Sequence, residues 1–400
     1  MNPNIQQLYG IASKPKRLII GLMSGTSLDG LDIALCSVEG SGTDTKLELL
    51  HFETVPYGED MRNELQTVFA KKNIDLEKLC LLHPWLARQH AAAVNDCLQK
   101  WEIRGADIDL LASHGQTIYH APQRLHQQQK FGNATLQIGD GDQLALATGI
   151  ITISDFRQKN IAAGGEGAPL AVYGDHLLFS KAGEDRLMLN IGGIANFTFL
   201  PGSGEVNEIL CTDLGPGNTL MDAFMREQFP RKYFDENGML AKGGSINPNL
   251  LEALKQDAFF LQPFPKTTGP ELFNGHYLQL AKERSGTPSI SAADTMATLN
   301  RFSADMIITG INKCLSNNLK LHIICSGGGI HNPVLMDHLE KLLAGCRFDT
   351  TAAMGINPDA KEAVLFALLA NECVCGNGSD FGNALNGIPP ISMGKISFPV

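Results

Sequence analysis

Two stretches of this chain share an order that few folds supply: an apolar strand, a tip of glycine and hydroxyl residues, and a second strand. Residues 17–22 are an apolar run of strand type, 23–30 read Met-Ser-Gly-Thr-Ser-Leu-Asp-Gly, and 31–38 alternate as a strand with one buried face. Residues 186–190 form another apolar strand broken by Gly192 and Gly193, and the strand pattern resumes over 197–200. A third glycine run, Gly327-Gly328-Gly329, ends a strand over 321–325. A residue without Cβ lets backbone N–H groups close on phosphate oxygens, and Ser24, Thr26 and Ser27 add hydroxyl donors. Any one such cluster reads as a tight turn; three at corresponding places suit a nucleotide held between two domains.

Composition narrows the partners. The 400 residues carry a formal net charge of -10, which repels nucleic acid and anionic membrane surfaces, so neither is expected as a partner. Nine scattered cysteines, with C-x-C at Cys373 and Cys375 as the closest pair, read as reduced thiols and point to a cytoplasmic protein. The apolar run after Arg17 is too short for a signal peptide, and no segment is expected to span a bilayer.

Along the chain, residues 1–16 read as a polar, loosely held lead-in. Residues 60–104 have helical spacing, and 108–112 read as a strand ending at Ser113-His114-Gly115-Gln116-Thr117. After strand-like 150–154 comes a flexible glycine-rich segment, 162–169, which marks a candidate domain boundary. The expectation is an α/β chain with domains over 17–150 and 151–400, the last residues being able to pack back on the first. Helices are expected over 219–228 and about 294–315. Neither G-x-x-x-x-G-K-[ST] nor a G-x-G-x-x-G between strand and helix is present.

Residues 21–32, 113–117, 155–170, 190–196, 213–218 and 326–332, with Phe234-Asp235, Thr268-Gly269, Phe273-Asn274 and Glu362-Ala363, together resemble the anhydro-N-acetylmuramic acid kinase family. That family belongs to the actin, sugar kinase and Hsp70 superfamily, and the match runs from about residue 17 to the C-terminus. The resemblance implies two ribonuclease H-like (actin-like ATPase) domains around a central nucleotide and sugar cleft. It implies ATP with Mg²⁺ as cofactors, a homodimer, and the opening and phosphorylation of 1,6-anhydro-N-acetylmuramic acid in peptidoglycan recycling.

By the same resemblance the ATP phosphates are gripped at Gly25, Thr26, Ser27, Leu28, Asp29, Gly30 and Asp32, and at Gly192, Gly193 and Asn196. The adenosine side lies near Ser326, Gly327, Gly328 and Gly329. Cleaving an internal acetal needs a base to deprotonate water, and the family's pattern gives that role to Asp213; spacing alone also allows an Asp capping the helix that begins near Thr219. Glu362 falls where the family has a carboxylate at the sugar, against a solvated helix-start glutamate. Thr117 is a candidate sugar contact, while His114 beside it reads as a hydrogen-bonded structural group. Arg157 suits the γ-phosphate or the lactyl carboxylate, or else pairs with Asp155.

Two departures stand out. Gly21 and Asn190 occupy strand ends where the superfamily places an Asp near Mg²⁺, so no metal ligand is assigned. The family's Gly-Gly-x-Gly segment commonly carries Gln where this chain has Glu166, which points elsewhere, accepts only hydroxyl or amide hydrogens, or alters substrate preference. The rival readings are an ordinary sugar kinase and an actin- or Hsp70-like nucleotide switch; a hydrolase would need the absent G-x-S-x-G.

Overall fold

A computed structural model describes residues 1–229, 232–315, 320–377 and 391–400. The chain divides into two compact units, Met1–Ser180 with Gly355–Val400, and Lys181–Met354.

In the first unit, β1 (Lys16–Ser24), β2 (Gly30–Glu39) and β3 (Lys46–Pro56) form an antiparallel meander joined by short turns, with β1 and β2 buried on both faces and β3 at the more exposed edge. β4 (Leu110–Ala121) then returns parallel to β1, and β6 (Thr152–Ser154) parallel to β4, while β5 (Ala134–Ile138) pairs with the far end of β4. A parallel return needs a crossover, supplied by the Leu76–Lys100 helix, whose Leu82, Leu86, Ala91, Val94 and Leu98 bury one face in the core. The second unit repeats the plan. β7 (Arg186–Ile191), β8 (Ile194–Leu200) and β9 (Leu210–Pro216) make the meander, and β10 (His322–Ser326) and β11 (Arg347–Thr350) add in parallel after the Ala292–Cys314 helix. Both sheets thus carry the third, second, first, fourth, fifth order of a ribonuclease H-like unit.

The division after Ser180 differs from the expected boundary near residue 150. β6 hydrogen-bonds to β4, and the strand Lys395–Ser397 pairs antiparallel with β6, so 151–180 and the C-terminus complete the first sheet. The lead-in is also more ordered than expected: Pro3–Ala12 is a helix, with Asn2 accepting from the Asn4 N–H and Pro3 in the first turn. β4 runs through Ser113–Thr117 instead of ending there, with Gly115 at φ 72. The helical pattern over 60–104 resolves into two helices, Glu59–Gln66 and Leu76–Lys100.

The Lys361–Cys375 helix, buried along most of its length, lies directly on β1. A Cβ at Gly21 would overlap the Ala363 carbonyl. No carboxylate fits at Gly21, since that space belongs to the helix that carries Glu362.

Candidate functional site

Which glycines face a ligand can be decided by what a side chain would meet. At Gly25 the nearest atom to an added Cβ is Ser27 Oγ at 3.4 Å; at Gly192 and Gly193 nothing lies nearer than 3.6 Å and 3.9 Å, and at Gly328 Asn218 Nδ2 is 3.8 Å away. Neither sterics nor backbone conformation demands glycine at these four, so the room they leave suits a close-approaching ligand. Gly327 is different: its φ is 83, and a Cβ would sit 2.7 Å from both Asn190 Oδ1 and the Ile191 carbonyl. Gly329 and Gly30 are likewise hemmed by neighbouring strands.

In the first hairpin Thr26, Ser27 and Asp29 are exposed, and the Ser27 hydroxyl donates to Asp29 Oδ1 at 2.7 Å. Leu28 turns its side chain into the core, so only its main chain is open to a ligand. Asp32, half-buried on β2, accepts from Thr54 Oγ1 at 2.5 Å; burial raises its carboxyl above the usual range against the pull of that bond, and Asp29 and Asp359 add to the rise.

Of the residues expected at the sugar, Thr117, Arg157, Glu166 and Glu362 lie in the first unit and Asp213 in the second. Arg157 Nε donates to His114 Nε2 at 2.8 Å and its NH1 to the Gly167 carbonyl at 2.7 Å, while Asp155, the alternative partner, pairs with Lys395. Burial lowers the Arg157 guanidinium to about 10, Glu362 opposing. Burial and the Arg157 charge hold the His114 imidazole well below its ordinary value, so it serves as a neutral acceptor. Glu362 keeps its side chain open to solvent, yet surrounding protein raises its carboxyl; Arg157 and Lys361 oppose this and Asp32 reinforces it. Thr117 Oγ1 accepts from Gln137 Nε2 at 3.1 Å. Glu166 faces Arg124, whose Nε lies 3.2 Å from its carboxylate, so its charge is offset locally.

In the second unit register sets the site. Ser326, Asn190, Asn196 and Asp213 are successive cross-strand partners on β10, β7, β8 and β9, which places four polar residues in one row on one face of the sheet. The β7–β8 tip is fastened to the following turn: the Asn218 N–H donates to the Gly192 carbonyl, and the Gly217 and Thr219 N–H groups to that of Gly193. Asp213 lies within β9, half-buried, and accepts from the Thr268 N–H at 2.8 Å. The Thr219–Gln228 helix is capped by Asn218 without a side-chain bond, so the capping alternative for Asp213 drops out.

Residues the motifs did not single out also matter. Lys266 N–H and carbonyl bond Thr212, its carbonyl accepts from the Asp213 N–H, and its ammonium, packed 4.1 Å and 4.5 Å from the Phe259 and Phe264 ring centroids, donates to the Phe259 carbonyl. That anchors the segment carrying Thr268. Only the proximity of Lys266 to Thr268-Gly269 hinted at it.

Two ribonuclease H-like units, each with a hairpin that carries tip glycines the fold does not require (Gly25; Gly192 and Gly193), define the actin-like ATPase class of fold. The model of the family described as anhydro-N-acetylmuramic acid kinase matches residues 17–396. The chain is 54% identical, over all of both sequences, to the anhydro-N-acetylmuramic acid kinase of Pseudoalteromonas atlantica. It is 38% identical to that of Caldanaerobacter subterraneus subsp. tengcongensis, covering 98% of this chain and 100% of the relative. Among solved structures, component A of the Acidaminococcus fermentans (R)-2-hydroxyglutaryl-CoA dehydratase is a distant likeness, 12% identical over 90% of this chain and 99% of that one with a TM-score of 0.39. The chain belongs to the anhydro-N-acetylmuramic acid kinase family.

Proposed function

We propose that the chain uses ATP and one water to open 1,6-anhydro-N-acetylmuramic acid and phosphorylate it, giving N-acetylmuramic acid 6-phosphate and ADP, in peptidoglycan recycling and amino sugar catabolism. The observation that carries this is Asp213, a carboxylate oriented by the Thr268 N–H in a polar row beside the open β7–β8 tip. Asp213 accepts a proton from water as the water oxygen bonds to the anomeric carbon. The bond from that carbon to the bridging sugar oxygen breaks, and the released oxygen attacks the γ-phosphorus while the β–γ bridging oxygen leaves with ADP. Phosphoryl transfer needs positioning and charge neutralisation more than covalent help, so the hairpin tips, including Thr26 and Ser27, hold phosphates through N–H and hydroxyl donors.

On the sugar side, Thr117 and Glu362 meet hydroxyls and Arg157 an oxyanion, with His114 fixing the Arg157 fork. Glu166, offset by Arg124, accepts hydroxyl or amide hydrogens. Among the described residues no three His, Cys, Asp or Glu side chains gather as a metal site. Mg²⁺ would enter with the nucleotide, phosphate oxygens and water supplying most of its ligands and neutralising charge on the transferred group. Among the described residues no helix is long and apolar enough to cross a membrane. A cytoplasmic homodimer completes the proposal.

The test is turnover of the anhydrosugar with ATP in ¹⁸O-labelled water. Label is expected at the anomeric hydroxyl and not in the phosphate; an unlabelled anomeric hydroxyl rejects the hydrolytic step.

A further inference from the structure

Beneath the first hairpin runs a buried chain of hydrogen bonds that none of the assigned roles uses. Ser24, the last residue of β1, donates from Oγ to Gln116 Oε1 at 2.5 Å. Tyr57 donates from its hydroxyl to Ser24 Oγ at 2.7 Å, and the same hydroxyl lies 2.7 Å from His90 Nε2. Gln116 completes the chain by donating from Nε2 to the carbonyls of Gly25 at 3.1 Å and Thr117 at 3.2 Å. His90 and Ser24 are 1% exposed, Gln116 is 0% and Tyr57 6%.

The direction of every proton follows. Ser24 spends its one proton on Gln116, so it accepts from Tyr57; Tyr57 then has no proton left for His90, and His90 Nε2 must be the donor. That puts a proton on Nε2, and burial, which lowers the ring to about 3, keeps Nδ1 bare and the imidazole neutral. The backbone of Tyr57 also donates to the Asp29 carbonyl at 2.9 Å. One residue thus holds both ends of the tip: Gly25 through hydroxyl, Ser24 and Gln116, and Asp29 directly. Between those ends lie Thr26 and Ser27, exposed, and Gly25, where the fold itself leaves room for a side chain.

We propose that Tyr57 and His90 are positioning residues for ATP, the fixed end of a one-way hydrogen-bond chain that sets where the 25–29 tip presents its N–H and hydroxyl groups. The proposal rests on ATP being the ligand of that tip. A tip left unfixed must be ordered by the nucleotide itself, which weakens binding more than it slows the chemistry once bound.

Tyr57→Phe keeps the ring and the backbone bond and removes only the hydroxyl. Its Kd and KM for ATP are expected to rise about tenfold, the size of one buried group left unpaired, with kcat at saturating ATP within about threefold of wild type. His90→Leu is expected to match it. His90→Gln, whose amide can donate from nearly the same place, is expected to restore ATP affinity to within about twofold. Because no member titrates near neutrality, the gap between Tyr57→Phe and wild type is expected to stay flat from about pH 6 to 8.

ATP affinity is measured calorimetrically on the full chain without sugar, with melting temperature recorded alongside. Wild-type affinity in Tyr57→Phe or His90→Leu overturns the proposal, as does equal loss in His90→Leu and His90→Gln. Should Tyr57→Phe not fold, the His90 pair decides alone. A wild-type protein that binds ATP but leaves the anhydrosugar untouched defeats the proposed reaction and leaves this positioning role standing.

Discussion

The backbone N–H of Thr268 donates to Oδ2 of Asp213 at 2.8 Å, while the Asp213 N–H donates back to the Lys266 carbonyl at 3.0 Å. The 266–268 segment thus behaves as an extra edge on β9 and fixes the carboxylate's direction from its own backbone. Asp213→Asn preserves the shape and removes the proton acceptor. Turnover is expected to fall by about 10² to 10⁴, the usual worth of a general base, with ATP affinity within about twofold of wild type. ADP release driven by the anhydrosugar, together with calorimetric ATP binding, checks both halves. Turnover that survives transfers the role to another carboxylate, Glu362 first.

Glu362 gives a pH dependence whose sign is opposite to that of an ordinary paired carboxylate. Desolvation by the surrounding protein holds its folded carboxyl above the usual range, although the side chain reaches solvent and Arg157 opposes the rise. The ionised form is therefore disfavoured in the folded chain: the cost is absent below the unfolded value of about 4.3 and complete above the raised folded value. Glu362→Gln is expected to melt higher than wild type at pH 8, with the gap closing as pH falls towards 4, while kcat/KM for the sugar drops about tenfold or more. Melting curves across that range decide it; a gap that widens on acidification sinks the assignment.

What could be read in the sequence was local. The two hairpins, their glycine tips and the strand that ends at Ser326 follow from apolar runs broken by Gly, Ser and Thr. The reason for Gly21 was not legible, because the Ala363 carbonyl that fills its space comes from a helix more than three hundred residues away. Nor was the chain from His90 to Gly25, since His90, Tyr57 and Gln116 stand on separate elements and each alone is an unremarkable core residue. The domain boundary was missed for the same cause: nothing near residue 150 announces that Lys395–Ser397 will return to pair with β6. Asp213 needed the family resemblance, and its orienting partner Thr268 became visible only when the 264–268 loop lay along β9.

The sorting of glycines makes a paired prediction. Gly192→Ala places a methyl at least 3.6 Å from its neighbours, so stability is expected to change by less than about 0.5 kcal/mol while ATP affinity falls about tenfold. Gly327→Ala puts a Cβ on a left-handed residue against Asn190 and Ile191 and is expected to cost about 2 kcal/mol or more. Urea unfolding and nucleotide binding on both variants separate the two effects. A destabilised Gly192→Ala with unchanged affinity defeats the ligand-facing role of that tip.

Arg157 always donates, so its Nε at 2.8 Å from His114 Nε2 requires that nitrogen to be bare and the ring proton to sit on Nδ1. His114 is then a fixed support for the guanidinium, and it is excluded from acid or base work near neutrality, as its lowered titration also requires. Two expectations follow from this pair. ¹⁵N spectra should show the His114 ring neutral with the proton on Nδ1 from about pH 5 to 8. Arg157→Lys, which replaces a planar fork reaching both His114 and the Gly167 carbonyl by a single ammonium, should lower kcat/KM for the sugar by about 10 to 10² while ATP affinity holds within about threefold. A His114 resonance that titrates between those pH values, or a lysine variant with full activity, removes the pair from the site.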